Sequence, residues 1–121
     1  MEIAYWIVAA LLALVYLYSG GKKAVQSRDQ LRPMMGWVDS MPLPLLRVIG
    51  VLEILGAAGL ILPPLTGVLP ALAIAAAVGL VALQIGAIAL HLARGEARLI
   101  GFNIVLLVLA GLAVWLATTV A

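Results

Sequence analysis

The chain has 121 residues, of which 66% are hydrophobic and only 10% are charged. Soluble domains carry about a quarter of their residues charged, so this composition excludes an ordinary water-exposed surface. The chain contains no cysteine, which excludes disulfides, thiol redox chemistry and thiolate metal sites within it. One histidine and no cysteine leave too few ligands for a tight transition-metal site, so no metal is expected.

Long apolar runs dominate the sequence, and each could cross about 30 Å of hydrocarbon as a helix. They predict one all-α membrane domain over residues 1–121, an antiparallel bundle of four transmembrane helices. Pro63 and Pro64 are expected to end the second span, and Pro70 is expected in the first turn of the third. The predicted spans cover residues 3–21, 45–62, 68–92 and 99–120.

A polar segment, residues 22–44, separates the first two spans and is predicted to be an amphipathic loop. Its apolar side chains should rest on the membrane surface, and prolines close the segment before the second span. These apolar residues are Met34, Met35, Trp37, Val38 and Met41.

The basic residues predict the orientation of the bundle. All seven fall in or beside the first and third connections: Lys22, Lys23, Arg28, Arg32, Arg47, Arg94 and Arg98. By the positive-inside rule these two connections are cytoplasmic, and both the N and C termini lie outside. Attraction to anionic lipid explains this charge, and no binding of nucleic acid is expected.

Glu53 is the leading functional candidate, because an ionisable residue within a span costs about 2.5–3.5 kcal/mol on insertion scales. It follows Arg47 by six residues, which places it about 9 Å into the membrane at helical rise. Gly50, Gly56 and Ala57 share its helix face, and such small residues permit either close helix approach or a cavity. A structural role, as a hydrogen-bond acceptor that sets helix register, is equally open.

The other spans carry polar groups at a similar depth. Gln84 and His91 lie seven residues apart on one face of the third span, about 10 Å from each other. Asn103 follows Arg98 by five residues, and Tyr18 precedes Lys22 by one turn. The opposite half has only hydroxyls near its boundary, and this asymmetry predicts a pocket rather than a pore. Simpler roles stay open: interhelical hydrogen bonds for the amides, and an interfacial position for the histidine.

Several motifs in this order resemble the DoxX-like family of small four-helix membrane proteins. Tyr18-Ser-Gly-Gly-Lys-Lys23 ends the first span, and the block from Arg47 to Pro63 around Glu53 is the most specific part. Gln84-Ile-Gly-Ala-Ile-Ala-Leu-His91, the Arg94-Gly-Glu pair and Asn103 follow. The resemblance implies a prokaryotic cytoplasmic membrane protein.

The resemblance also implies which polar positions recur and what they serve. They are Glu53, Gln84, His91, Asn103 and one of Lys22 and Lys23, and with Tyr18 they form the predicted ligand site. Members of the wider family include a subunit of a thiosulfate:quinone oxidoreductase and subunits of a membrane-bound oxidoreductase complex, and a remote animal branch resembles receptor-assembly chaperones.

The leading hypothesis is a cytoplasm-facing pocket for a small or lipid-soluble, quinone-like molecule, in an accessory or subunit of a membrane redox system. The sequence does not establish a cofactor or a catalysed reaction. One alternative is a small-solute or proton-coupled transporter that acts as an oligomer. Another is a membrane assembly factor or structural subunit. The expected partners are the lipid bilayer and either further copies of the chain or a membrane redox protein.

Overall fold

The computed structural model describes residues 2–33, 35, 41–67 and 71–120, and those residues are helical for most of their length. The helices are α1 (Glu2–Val25), α2 (Arg28–Leu31), α3 (Leu43–Thr66), α4 (Leu72–Ala93) and α5 (Gly101–Val120), with a 3-10 turn at Ala97–Leu99. α1, α3, α4 and α5 are each long and apolar enough to cross a membrane. The predicted all-α, four-span architecture is therefore confirmed.

The helix ends differ from the predicted spans by a few residues. α1 continues to Val25, so Lys22 and Lys23 belong to its last turn rather than to a loop. Lysine is a good helix former, and a helix need not end where the hydrocarbon ends. Of the segment expected to rest on the membrane surface, Met34, Trp37 and Val38 lie outside the described residues, and so does Pro70.

α3 does not stop at Pro63 and Pro64 but runs through both to Thr66. Pro64 has no N–H to donate to the carbonyl oxygen of Leu60 one turn earlier, which would leave that acceptor without a partner in an apolar core. The hydroxyl of Tyr5 on α1 donates to that carbonyl oxygen at 2.6 Å. The helix then ends at Gly67, whose left-handed φ of 74° suits glycine.

The spans pack in a ring, each against two neighbours, in the order α1, α3, α4, α5 and back to α1. The core between them consists mainly of leucine and alanine, with Tyr5 and Tyr16 the largest buried side chains. Small residues allow the helix axes to approach closely. Close packing matters here because lipid supplies no hydrophobic force between spans.

The connection after α1 folds back on the bundle. Leu31 of α2 and Met35 form a buried apolar cluster with Leu46 of α3, and Met41 packs against it. Of the segment predicted to rest on the membrane surface, Met35 and Met41 therefore pack in this cluster against α3.

Candidate functional site

A buried ion pair joins α1 to α3. Lys23 Nζ lies 2.5 Å from Glu53 Oε1 and also donates to Ser19 Oγ at 3.1 Å. Both charged residues are less than a tenth exposed. Burial of two charges costs free energy unless they are paired, so this contact is what makes a carboxylate tolerable at this depth.

Two glycines create this contact by bringing the backbones of α1 and α3 together. A Cβ on Gly20 would lie 2.7 Å from the carbonyl oxygen of Gly50 and 2.9 Å from Cβ of Glu53. A Cβ on Gly50 would lie 2.8 Å from the Lys23 Cβ. Only residues without a Cβ fit here. Of the small residues on the helix face of Glu53, Gly50 therefore permits the close approach of α1 to α3.

The second carboxylate oxygen of Glu53 has no hydrogen-bond partner. Oε2 is inaccessible to solvent, and none of the described residues donates to it. Buried polar atoms in folded proteins are almost always paired, and leaving a buried acceptor unpaired costs about 1–3 kcal/mol. The unpaired Oε2 is therefore the unusual feature of this buried ion pair.

A second polar network joins α1, α4 and α5. Gln84 Nε2 donates to the Tyr16 hydroxyl oxygen at 2.6 Å, and Asn103 Nδ2 donates to Gln84 Oε1 at 3.0 Å. Gln84 is buried and Asn103 is half-buried. Both amides thus hold helices together, which is the simpler of their two expected roles.

Tyr16, Ser19 and Lys23 lie on one face of α1, at intervals of three and four residues. Six residues form what we call the polar cluster: Tyr16, Ser19, Lys23, Glu53, Gln84 and Asn103. Tyr16 and Ser19 are not among the site residues predicted from the sequence. Their helical spacing to Lys23 is the sequence signal that could have indicated them.

The two adjacent lysines have different surroundings. Lys23 is buried in the polar cluster, whereas Lys22 Nζ stacks over the Tyr18 ring at 5.3 Å from its centroid. Tyr18 is 62% exposed and lines the cleft along α3 and α4 that is described below, whereas Lys22 does not line it. The structure therefore assigns the buried contact to Lys23 and places Lys22 apart from the site.

His91 sits at the end of α4 in a network with the following loop. Its Nδ1 lies 3.1 Å from Glu96 Oε1, and Arg94 Nε donates to the same oxygen at 2.8 Å. The hydrogen bond from Arg94, followed by the one from His91, holds the pKa of Glu96 below its usual value. His91 thus anchors the loop and lies outside the polar cluster. Both His91 and Glu96 line the cleft along α3 and α4 that is described below.

Arg47 closes the end of α1. Its Nη1 donates to the carbonyl oxygen of Lys23 at 2.8 Å and also to that of Gln26. The last carbonyls of a helix lack partners within it, and a cation there also complements the helix dipole. This contact sets the position of Lys23 relative to α3.

A cleft of about 1520 Å³ lies along α3 and α4 and is open at its surface. Its polar side chains lie towards the end of the bundle where α1 and α4 finish, and they include all six residues of the polar cluster. Towards the other end it is lined by apolar and small residues, including Leu55, Gly59 and Ala75. The cleft therefore has a polar head region and an apolar tail region.

Two glycines of α4 leave the apolar part of the cleft open. A Cβ on Gly79 or Gly86 would meet nothing within 4 Å, and both residues line the cleft. By contrast, Gly56 and Gly59 of α3 are in close contact with α4, where a Cβ would lie 2.7 Å from atoms of Leu80 and Ala76 respectively. Intrachain packing thus uses the glycines of α3, and the glycines of α4 border empty space.

The other end of the described core is apolar. The buried residues there include Tyr5, whose hydroxyl donates to the carbonyl oxygen of Leu60. The others are aliphatic side chains such as Leu12, Leu116 and Ala117. Polar groups are thus concentrated at one end of the bundle.

A sequence model of the DoxX-like family matches residues 7–113. The chain belongs to the DoxX-like family. The matched region includes α3, α4 and every residue of the polar cluster, so the site lies within the family's shared part. Comparison with curated proteins and with solved structures gives no significant match. The DoxX-like membership and the four apolar helices together make the chain a small multi-pass membrane protein.

Proposed function

We propose that this DoxX-like protein binds a lipid-soluble molecule with a polar head and an apolar tail, of the quinone class, in the cleft along α3 and α4. It would serve as an accessory or subunit of a membrane redox system in a prokaryotic cytoplasmic membrane. The basic residues at the polar end of the bundle favour a cleft whose head region faces the cytoplasm.

The observation that carries this proposal is the unpaired Oε2 of Glu53. The ion pair with Lys23 uses only Oε1, so the other oxygen of a deeply buried carboxylate has no donor among the described residues. Gln84 and Asn103 add amide groups to the same region, held in place by their contact with each other. A purely structural carboxylate would be expected to have both oxygens satisfied.

The apolar part of the cleft supports a ligand with a tail. Ligand pockets are usually about 300–1,000 Å³, so a cleft of about 1520 Å³ is large enough for a head and part of a chain. The absence of side chains at Gly79 and Gly86 leaves a channel along α4 next to Leu83 and Leu90. An apolar chain that lies there would remain in contact with the surrounding lipid.

His91 provides a route for protons near the head region. Its Nδ1 lies 3.1 Å from Glu96 Oε1, and this contact orients the imidazole ring. Because His91 lines the cleft at the polar end, it could exchange protons between a bound head group and water.

Transport and assembly are the two competing functions. A transporter needs a polar path across the bundle, and the apolar core around Leu12 and Leu116 does not favour one within a single chain. An assembly factor needs an exposed packing surface, yet Gly50, Gly56 and Gly59 are occupied by contacts within the chain. No specific observation therefore favours either function over ligand binding.

The test is native mass spectrometry of the protein extracted from its own membrane, together with binding of a decyl-tailed benzoquinone in nanodiscs. Glu53→Gln should retain less of the molecule than the wild type, because it changes the acceptor in the head region. Gly79→Leu should lose it because the new side chain fills the tail region. Gly111→Leu is the matched control, since Gly111 also has no atom within 4 Å but does not line the cleft.

The outcome decides between the functions. Ligand retained by the wild type and Gly111→Leu, and lost by Gly79→Leu without loss of thermal stability, supports the cleft as the binding site. A wild-type protein that retains no small molecule from its membrane and does not bind the added quinone contradicts the proposal. If Glu53→Gln is then merely less stable, the carboxylate is structural and an assembly role gains support.

A further inference from the structure

The head region of the cleft contains a buried acceptor that has no donor among the described residues. Glu53 in its ion pair is an acceptor at both oxygens, and its free Oε2 needs a donor. An oxidised quinone has two carbonyl oxygens and no polar hydrogen, so it would place an acceptor against an acceptor. A reduced quinone, or any phenol or alcohol, carries the O–H that this position lacks.

We infer that the cleft selects a head group bearing a hydroxyl donor, and so binds the reduced, quinol form of a quinone-class amphiphile in preference to the oxidised form. This inference rests on the proposed function and specifies the chemical state of its ligand.

Tyr16 adds a complementary donor. Its hydroxyl oxygen accepts from Gln84, and among the described residues its own hydrogen has no acceptor. A ligand hydroxyl has one hydrogen and two lone pairs, so it can donate to Glu53 Oε2 and accept from Tyr16. A carbonyl oxygen can use only the Tyr16 hydrogen. The difference between the two ligand forms is therefore one buried hydrogen bond to a charged acceptor.

The expected preference is roughly tenfold or more in dissociation constant, because a buried charged acceptor left unpaired is costly. Two pairs of probes measure it on the wild-type protein in nanodiscs. The first pair is a decyl-tailed benzoquinone and its hydroquinone, the latter kept reduced anaerobically. The chain contains no cysteine, so the reductant leaves the protein unchanged. The second pair is 4-decylphenol and its methyl ether, which differ in the hydroxyl hydrogen without any redox chemistry.

Tighter binding of both hydroxyl-bearing probes supports the inference and identifies the hydroxyl as its cause. Equal binding of quinone and hydroquinone overturns the inference while the proposed function stands. A preference for hydroquinone without a preference for the phenol overturns it as well, because the selection then comes from another feature of the ring. Failure of every probe to bind overturns the proposed function and the inference with it.

A variant adds a second test. Glu53→Gln replaces an acceptor-only group with an amide that both donates and accepts, so the preference between the members of each pair should fall to within about twofold. Should this variant be unstable without its ion pair, the wild-type comparison decides the question alone. A folded Glu53→Gln protein that keeps the full preference contradicts the role given to this carboxylate.

Discussion

Replacing Gly20 with alanine is expected to separate α1 from α3 and weaken the Lys23–Glu53 ion pair. The new Cβ would lie 2.7 Å from the carbonyl oxygen of Gly50, whereas ordinary contact begins at 3.4 Å. Backbone cannot move aside like a flexible side chain, so the helices must part by about 0.7 Å, the difference between these two distances. Overpacking of this kind costs about 1–3 kcal/mol in the free energy of unfolding.

Gly21→Ala is the matched control for this prediction. Gly21 is the next residue of the same helix, and a Cβ there meets nothing within 4 Å. Alanine at this position should stabilise the protein by about 0.5–1 kcal/mol, because glycine is a poor helix former. The two substitutions should therefore change the free energy of unfolding in opposite directions, and the two variants should differ by about 1.5–4 kcal/mol.

The measurement is unfolding of each variant by sodium dodecyl sulfate in mixed micelles, followed by tryptophan fluorescence. Quinone binding by the folded variants is measured in parallel. A Gly20→Ala protein as stable as Gly21→Ala would refute the close approach of α1 and α3. A Gly20→Ala protein that is destabilised but binds the ligand with unchanged affinity would refute the coupling between this packing and the site.

Three further predictions follow from the same geometry. Lys23→Met should lower the free energy of unfolding by about 3–5 kcal/mol because it leaves a buried carboxylate unpaired, while Lys22→Met should change it by less than about 0.5 kcal/mol; equal effects of the two in detergent unfolding would contradict the assignment. Arg94→Gln should raise the pKa of Glu96, because it removes the hydrogen bond that lowers this pKa most. In the wild type the lowered pKa stabilises the loop at pH values above the ordinary carboxyl pKa, and this stabilisation is lost as the pH falls through the lower pKa of the folded state. Carboxyl NMR titration measures the pKa, and an unchanged pKa would contradict the contact. Alkaline phosphatase fused to the carboxyl terminus should be active in whole cells and green fluorescent protein there should be dark, because that end is predicted to lie outside; the reverse result would invert the predicted topology.

The sequence pattern predicted which polar residues gather at one end of the bundle. Gln84 and Asn103 are in contact, and Glu53 is buried close to the same cleft. Depth along a helix follows from residue number alone, at about 1.5 Å per residue, so residues at equal depth can be grouped by counting from the charged end of each span. That grouping predicted the polar end of the bundle, but it did not predict which of these side chains contact each other.

The partners depended on helix rotation, which residue counting leaves open. Consecutive residues differ by about 100° around a helix, so Lys22 and Lys23 look alike in sequence but face different surroundings. Only the packing of Gly20 against Gly50 determines that Lys23 faces Glu53. Likewise, His91 lies at the expected depth, but the loop supplies Glu96 as its partner.

By itself, the sequence determined the membrane location, the number of spans and the polar end of the bundle. These features follow from composition and from the length of each apolar run, because lipid imposes the same requirement on every spanning segment. The tertiary structure decided the course of α3 through Pro64, where Tyr5 replaces the missing donor. It also decided that Glu53 Oε2 has no partner within the described part of the chain, since the partners of a buried atom depend on contacts between helices far apart in the chain.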